Sequence, residues 1–167
     1  AEQSIKIHSN SQLYFARNAV LVAKPNNAKH YAVLDIYNVN NVKIFGGIIR
    51  GERNQHMGNA GEWGMGIRIK SSNNVTITGT KIEKCWGDGI YLGSIDNIST
   101  NSNIHLIDVI ADGNRRQGIS IVTGRDVHII RPVLLNTFGV APSAGVDIEP
   151  NVNTNILNNI RIIDAYT

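Results

Sequence analysis

The 167-residue chain contains a single cysteine, four prolines, five glutamates, eight leucines and only 6% aromatic residues. One thiol, Cys85, excludes both an intrachain disulfide framework and a CxxC metal site, so stability must come from packing. No stretch approaches the roughly 18 to 20 apolar residues of a membrane span, and membrane insertion is not expected. Basic runs are also absent. Sixteen Lys and Arg against thirteen Asp and Glu leave a dispersed net charge of +3, too weak for a nucleic-acid footprint. The opening Ala1-Glu2-Gln3-Ser4 lacks the basic and apolar regions of a signal peptide, and there is no initiator methionine, so the reading expects an excised or processed piece. No Gly-rich phosphate loop precedes a helix. His105 and His128 occupy equivalent positions but lack a third ligand, so neither a metal nor a cofactor is expected.

The abundant residues are 25 Ile, 21 Asn and 16 Gly. Helices favour straight-chain formers, whereas β-branched residues fit a pleated surface and Asn and Gly fit turns. The composition therefore predicts an all-β fold.

Internal repeats refine that prediction. One phrase occurs as Gly66-Ile67-Arg68-Ile69, Gly89-Ile90-Tyr91-Leu92, Gly118-Ile119-Ser120-Ile121 and Gly145-Val146-Asp147-Ile148, at steps of 23, 29 and 27 residues. A second occurs as Asn41-Val42-Lys43-Ile44, Asn74-Val75-Thr76-Ile77, Asn103-Ile104-His105-Leu106, Asp126-Val127-His128-Ile129 and Asn159-Ile160-Arg161-Ile162. Both alternate apolar and polar residues, as half-buried strands do. A weaker third strand follows at Ile48-Ile49, Lys81-Ile82, Val109-Ile110 and Val133-Leu134. Nothing in the turns favours two-residue hairpins. Three strands per repeat instead fit a chain winding around a prism, each turn stacking in parallel on the last, with loops absorbing the irregular steps. About five to seven coils fit, counting the less regular segments within residues 1–30 and the segment from Tyr31 to Ile36, in one domain spanning residues 1–167.

These phrases, with Gly46-Gly47-Ile48-Ile49-Arg50-Gly51 ahead of them, resemble the right-handed parallel β-helix, or pectate-lyase-like, superfamily. Asp112-Gly113-Asn114-Arg115-Arg116-Gln117-Gly118 and Gly145-Val146-Asp147-Ile148-Glu149-Pro150 resemble the β-helical body of bacteriophage tailspikes. The resemblance spans about residues 30–167 and implies a carbohydrate-active protein: a virion or extracellular depolymerase acting on bacterial capsular polysaccharide or lipopolysaccharide, homotrimeric at full length. It does not choose a reaction, because such folds host many chemistries. Arg68-Ile69-Lys70 is similar to a polygalacturonase motif, but that family's paired-Asp and Gly-His-Gly motifs are missing, as is the Asp-Pro-His-Glu signature of alginate epimerases. A solenoid needs capped ends, and no polar cap is recognisable, so further chain or a partner subunit is expected.

With Ile inward, the intervening residues of the first phrase form an outward column: Arg68, Tyr91, Ser120 and Asp147, followed two residues on by Lys70, Gly93, Val122 and Glu149. A groove across such strands can hold an extended sugar chain. Asp147 and Glu149, at i and i+2, should lie on one face roughly 6.5 to 7 Å apart, near the lower limit for an inverting glycosidase. Asp88, between two glycines, is a third candidate catalytic carboxylate. Trp86 offers a face for sugar stacking, and Arg115 and Arg116 occupy the equivalent turn one coil later, where they can bind a substrate carboxylate or pair with Asp88. The polar loop from Glu52 to Trp63 adds His56, a candidate base, and Trp63 beside Arg68. Three readings follow: glycoside hydrolysis by Asp147 and Glu149, or one of them with Asp88; elimination on a uronic-acid polymer; or a non-catalytic glycan-binding β-helix.

Overall fold

A computed structural model describes residues 4–167; the first three residues, on which the reading of the missing leader partly rests, lie outside the described residues. The chain forms seventeen short strands: β1 (Ile5–Ile7), β2 (Gln12–Tyr14), β3 (Val20–Val22), β4 (His30–Tyr37), β5 (Asn40–Phe45), β6 (Ile48–Arg50), β7 (Trp63–Lys70), β8 (Asn73–Thr78), β9 (Lys81–Glu83), β10 (Ile90–Gly93), β11 (Ser102–Ile107), β12 (Ile110–Asp112), β13 (Gln117–Ile121), β14 (Gly124–Ile130), β15 (Val133–Leu135), β16 (Ala144–Ile148) and β17 (Leu157–Ile163). A single 3₁₀ turn at Arg53–Gln55 is the only helical element among the described residues.

Every third strand falls in the same sheet. The first sheet runs β1-β4-β7-β10-β13-β16, the second β2-β5-β8-β11-β14-β17 and the third β3-β6-β9-β12-β15. All pairings between these strands are parallel, which makes the molecule a parallel β-solenoid of about five turns. The absence of hairpin chemistry in the turns is thus matched by an absence of antiparallel pairing among the described strands.

Inward columns form the core. In the first sheet Leu34, Ile67, Ile90 and Ile119 stack in register, and Val42, Val75, Ile104 and Val127 do so in the second. Apart from Leu34 at 1%, these side chains have no exposed surface. In the last coil Ile148 and Ile162, the partners of the buried Ile121 and Ile129, are 45% and 40% exposed, because no described coil covers them.

The recurrent glycines and asparagines each have a physical reason. A Cβ on Gly66 would lie 2.7 Å from the carbonyl oxygen of Gly89, and one on Gly89 would lie 2.6 Å from that of Gly118. At Gly66, Gly89 and Gly118 the glycine opening the phrase therefore lets the next coil approach at sheet spacing. The second phrase opens in left-handed backbone at Asn41, Asn74, Asn103, Asp126 and Asn159, with φ of 52° to 59°, a geometry that Asn and Asp tolerate. Their amides form a ladder: Asn41 donates to Asn10 at 2.9 Å, Asn74 to Asn41 at 3.1 Å and Asn103 to Asn74 at 2.8 Å. Two further asparagines are wholly buried at corners. The Asn101 amide donates to the carbonyls of Gly93 and Thr123 and its oxygen accepts from the Ser72 N–H, tying three coils together. The Asn114 amide donates to the Ile82 carbonyl and its oxygen accepts from the Cys85 N–H, joining its own coil to the one before.

Candidate functional site

The outward column is in register across five coils: Asp35, Arg68, Tyr91, Ser120 and Asp147 are successive partners in β4, β7, β10, β13 and β16. Strand alternation puts them on the solvent face because their neighbours fill the core. At the β16 end, Trp63, Tyr91, Arg116, Ser120, Asp147 and Glu149 line a shallow groove with about 60 Å³ of space. Five of the residues singled out in the sequence meet there: Trp63, Tyr91, Arg116, Asp147 and Glu149. Trp63 reaches it from the start of β7, where its ring stacks on His30 at 4.5 Å.

The groove is organised from below. Gln117, with no exposed surface, donates its amide to Asp147 Oδ2 at 2.8 Å and so fixes the rotamer of that carboxylate. Arg116 Nη1 lies 3.4 Å from Asp88 Oδ2, and its Nε lies 3.5 Å from Glu62 Oε2, an ion pair by distance without hydrogen-bond alignment. Ser120 Oγ donates to Asp88 at 3.0 Å. Asp88 itself is fully buried, and burial pushes its carboxyl up to about 6 from the ordinary 3.8, against the opposing pull of Arg116 and Ser120. Burial likewise raises the Tyr91 phenol, with the Asp88 charge adding to it.

These contacts commit several of the candidate residues to partners within the protein. Asp88, a candidate catalytic carboxylate in the sequence, is buried beneath the groove, where Arg116 and Ser120 contact its carboxylate, the arginine pairing that the sequence also allowed. Trp86 was expected to stack on a sugar, but both its faces are occupied: His56 stacks on one at 3.9 Å and the Arg115 guanidinium lies over the ring at 3.7 Å. Its indole N–H donates to the Gly61 carbonyl at 2.9 Å. The His56 side chain is buried and bonded to Glu52 at 2.8 Å, in the stack on Trp86 and not among the residues that line the groove. Arg115 donates to the carbonyls of Gly61 and Trp86 rather than pointing at the column. These three form a structural stack that holds the loop from Glu52 to Trp63 against the solenoid. Arg68 stays in the column, but it pairs with Asp35 in a fork of two 2.9 Å contacts and lines a neighbouring cleft with Lys6 and Tyr37.

Sequence reasoning had not singled out Gln117, Ser120, Glu62 or Asn151 as parts of the site. Ser120 was legible as a column member, and Gln117 opens β13 in register with Ala144; Glu62 and Asn151, the latter a further residue lining the groove, lie in loops that no periodicity encodes. His105 and His128 pair edge to face at 5.1 Å on the second sheet, away from the groove. Among the described residues no group of three His, Cys, Asp or Glu side chains is arranged to hold a metal ion, and no helix is long and apolar enough to cross a membrane.

No family model matches the chain. It is 32% identical over 161 residues, 87% of its length, to the uncharacterized protein YclG of Bacillus subtilis, covering 27% of that protein. A 37% identity over 97 residues, 54% of the chain, relates it to the SPbeta prophage-derived uncharacterized protein YorA of the same organism, of which 17% is covered. The chain thus spans about a quarter or less of the curated relatives it matches. Among solved structures it is similar to a candidate glycosyl hydrolase from Parabacteroides merdae, with a TM-score of 0.65 and 16% identity over 97% of this chain and 76% of that one, a likeness of fold.

Proposed function

We propose that this solenoid is the β-helical part of a carbohydrate-active protein that binds bacterial surface polysaccharide along its first-sheet face and cleaves it by glycoside hydrolysis. The observation that carries the reading is the meeting of Asp147 and Glu149 with Arg116, Tyr91 and Trp63 in one groove. Two carboxyl groups flanking a glycosidic bond suffice for hydrolysis, one protonating the leaving oxygen and the other activating water or attacking the anomeric carbon. Gln117 orients Asp147, which suits it to the second role; the exposed Glu149 then donates the proton. Tyr91 and Trp63 supply ring faces for sugar stacking, and Arg116 a cation for hydroxyls or carboxylates.

The solved neighbour named as a candidate glycosyl hydrolase supports the carbohydrate reading. The prophage-derived relative supports a phage-associated role at the cell surface or on a virion, with the tailspike-like homotrimer as the corresponding assembly. Elimination on a uronic-acid polymer is the second reading, favoured by Arg116, which can neutralise a uronate beside the carboxylates. A non-catalytic glycan-binding solenoid is the third.

The test uses the full-length protein on purified capsular polysaccharides and lipopolysaccharides, following reducing ends and ultraviolet absorbance together. Hydrolysis releases reducing ends without a new absorbance, and Asp147→Asn or Glu149→Gln should lower the rate by about 100-fold or more. A parallel rise in absorbance would replace hydrolysis with elimination. Binding without cleavage by the parent protein would replace both with adhesion.

A further inference from the structure

The three corners of the solenoid differ in how much chain they carry. Between the third and first sheets, and between the first and second, the connections vary in length, up to the loop over residues 51–62. From β5 onward the corner between the second and third sheets never varies: Gly46-Gly47, Gly79-Thr80, Asp108-Val109 and Arg131-Pro132 each complete it. No loop projects there, so the corner is a smooth crest along the molecule, opposite the first-sheet face. Both flanks of that crest are apolar. On the second sheet Phe45, Ile107 and Ile130 lie outward in one column with Thr78; on the third, Ile48, Ile110 and Val133 do so with Lys81. All six are only half-buried. The outward column of the first sheet, from Asp35 to Asp147, holds no aliphatic residue, so strand alternation does not by itself account for aliphatic flanks. Contiguous apolar surface of this kind marks contact with another macromolecule.

Charges on this surface already compensate one another. Lys81 Nζ lies 2.7 Å from Glu83 and 2.9 Å from Asp112, and Arg50 Nε lies 2.6 Å from Glu83. On the crest, Arg131 grips Asp108 through contacts of 2.7 and 2.9 Å. Covering the flanks therefore strands none of these ions. Lys43 and Arg161 stand one outward column further from the crest, where a polar rim belongs. The convex shape selects the partner. A crest cannot bury both flanks on one flat surface, whereas copies of the same wedge gathered around an axis can, the second-sheet flank of each covering the third-sheet flank of the next. Five strands at about 4.8 Å, with flanks about 10 Å wide, give each copy on the order of 500 Å² of planar area. Corrugated accessible surface is larger, which brings it towards the roughly 800 Å² per partner of specific interfaces. Resting on the homotrimeric assembly proposed above, we infer that the crest between the second and third sheets is the contact between copies of this chain, in a heterologous ring with parallel solenoid axes. Each first-sheet groove then faces outward.

The experiment measures the mass of the full-length protein in solution by light scattering and then places the contact by cross-linking. A closed ring holds its copies at one height, so His128 on the second sheet and Leu135 on the third, both outward in the same coil, face each other across the contact. One copy carrying His128→Cys and another carrying Leu135→Cys are co-expressed with different tags and treated with a short bismaleimide. The expected result is an oligomeric parent in which unlike copies join at least tenfold more than like copies. Ile107→Lys combined with Val133→Lys should lower the mass to that of a monomer, while Ile98→Lys, at a residue 71% exposed and off the crest, should not. Should the lysine variant fail to fold, as circular dichroism would report, the cross-links decide alone. Like copies joining as readily as unlike ones would overturn the ring. An oligomeric parent whose unlike copies do not join would overturn the inference and leave the assembly reading standing, with its contact elsewhere. A monomeric parent would overturn both.

Discussion

Arg116 lies across Asp88 with its Nη1 3.4 Å from Oδ2, covering a carboxyl that has no exposed surface of its own. The contact is long for an ion pair, and burial outweighs it: Asp88 titrates at about 6 in the folded protein against 3.8 ordinarily. The folded state therefore holds a proton that the unfolded chain has already released between these values. Stability contributed by this group is full below the lower value and is lost as pH rises through about 6. A shift of about two pH units corresponds to at most ~3 kcal/mol. Asp88→Asn imitates the protonated form, so it should be more stable than the parent at pH 7.5 and equal to it near pH 4. Urea unfolding at several pH values checks this, and parallel pH profiles for the two proteins would sink it.

The glycine column gives a second prediction. A Cβ on Gly118 would press on the carbonyl oxygen of Gly145 in the next coil, a backbone atom with no side-chain freedom to yield. Gly118→Ala should cost about 1 to 3 kcal/mol by overpacking. Gly79→Ala serves as a contrast: its Cβ would meet no heavy atom within 4 Å, and only its positive φ of 63° adds strain. Chemical denaturation of both variants separates coil spacing from backbone strain.

For the asparagine ladder, Asn74 combines a left-handed φ of 55° with ladder bonds to Asn41 and Asn103. Asn74→Ala should lose both, at about 1 to 2 kcal/mol for the backbone and about 1 kcal/mol for each exposed bond at most. Asn74→Gly restores the backbone and loses only the bonds. An alanine variant as stable as the glycine variant would show that φ at this position contributes nothing.

The Trp86 stack should behave as a strut. Trp86→Ala removes the ring held between His56 and Arg115 and should destabilise by about 3 to 5 kcal/mol. Arg115→Ala should be milder, since it removes one face and two hydrogen bonds to carbonyls. Hydrogen exchange measured along the chain should localise its effect to residues 52–63. Exchange that changes instead around Asp147 would return Arg115 to the groove.

The strands were legible because their signals are local. Alternation at Gly-Ile-x-Ile and Asn-Val-x-Ile names both the strand and its inward face, and even the short Ile5-Lys6-Ile7 and Ala19 to Ala23 segments hold β1 and β3 in register with the next coil. The outward column was legible for the same reason, so Arg68, Tyr91, Ser120 and Asp147 align as alternation requires. The loops carry no such period. Trp86, His56 and Arg115 look in the sequence like polar and aromatic loop residues near a sugar site, yet they bury one another across separations of 29 and 30 residues, through contacts that depend on how each loop folds back.

By itself, the sequence determined the coil: β-branched residues alternating with polar ones can bury one face only by stacking, and Gly and Asn mark where neighbouring backbones approach or turn left-handed. Tertiary structure alone decided which charged groups meet. It sank Asp88 beneath Arg116, closed both faces of Trp86, fixed Asp147 on Gln117 and gave Asp35 to Arg68 while leaving Lys70 beside them. Those outcomes depend on the lateral register of successive coils and the paths of the loops between them, where contacts span a whole coil in sequence and only a few ångströms in space.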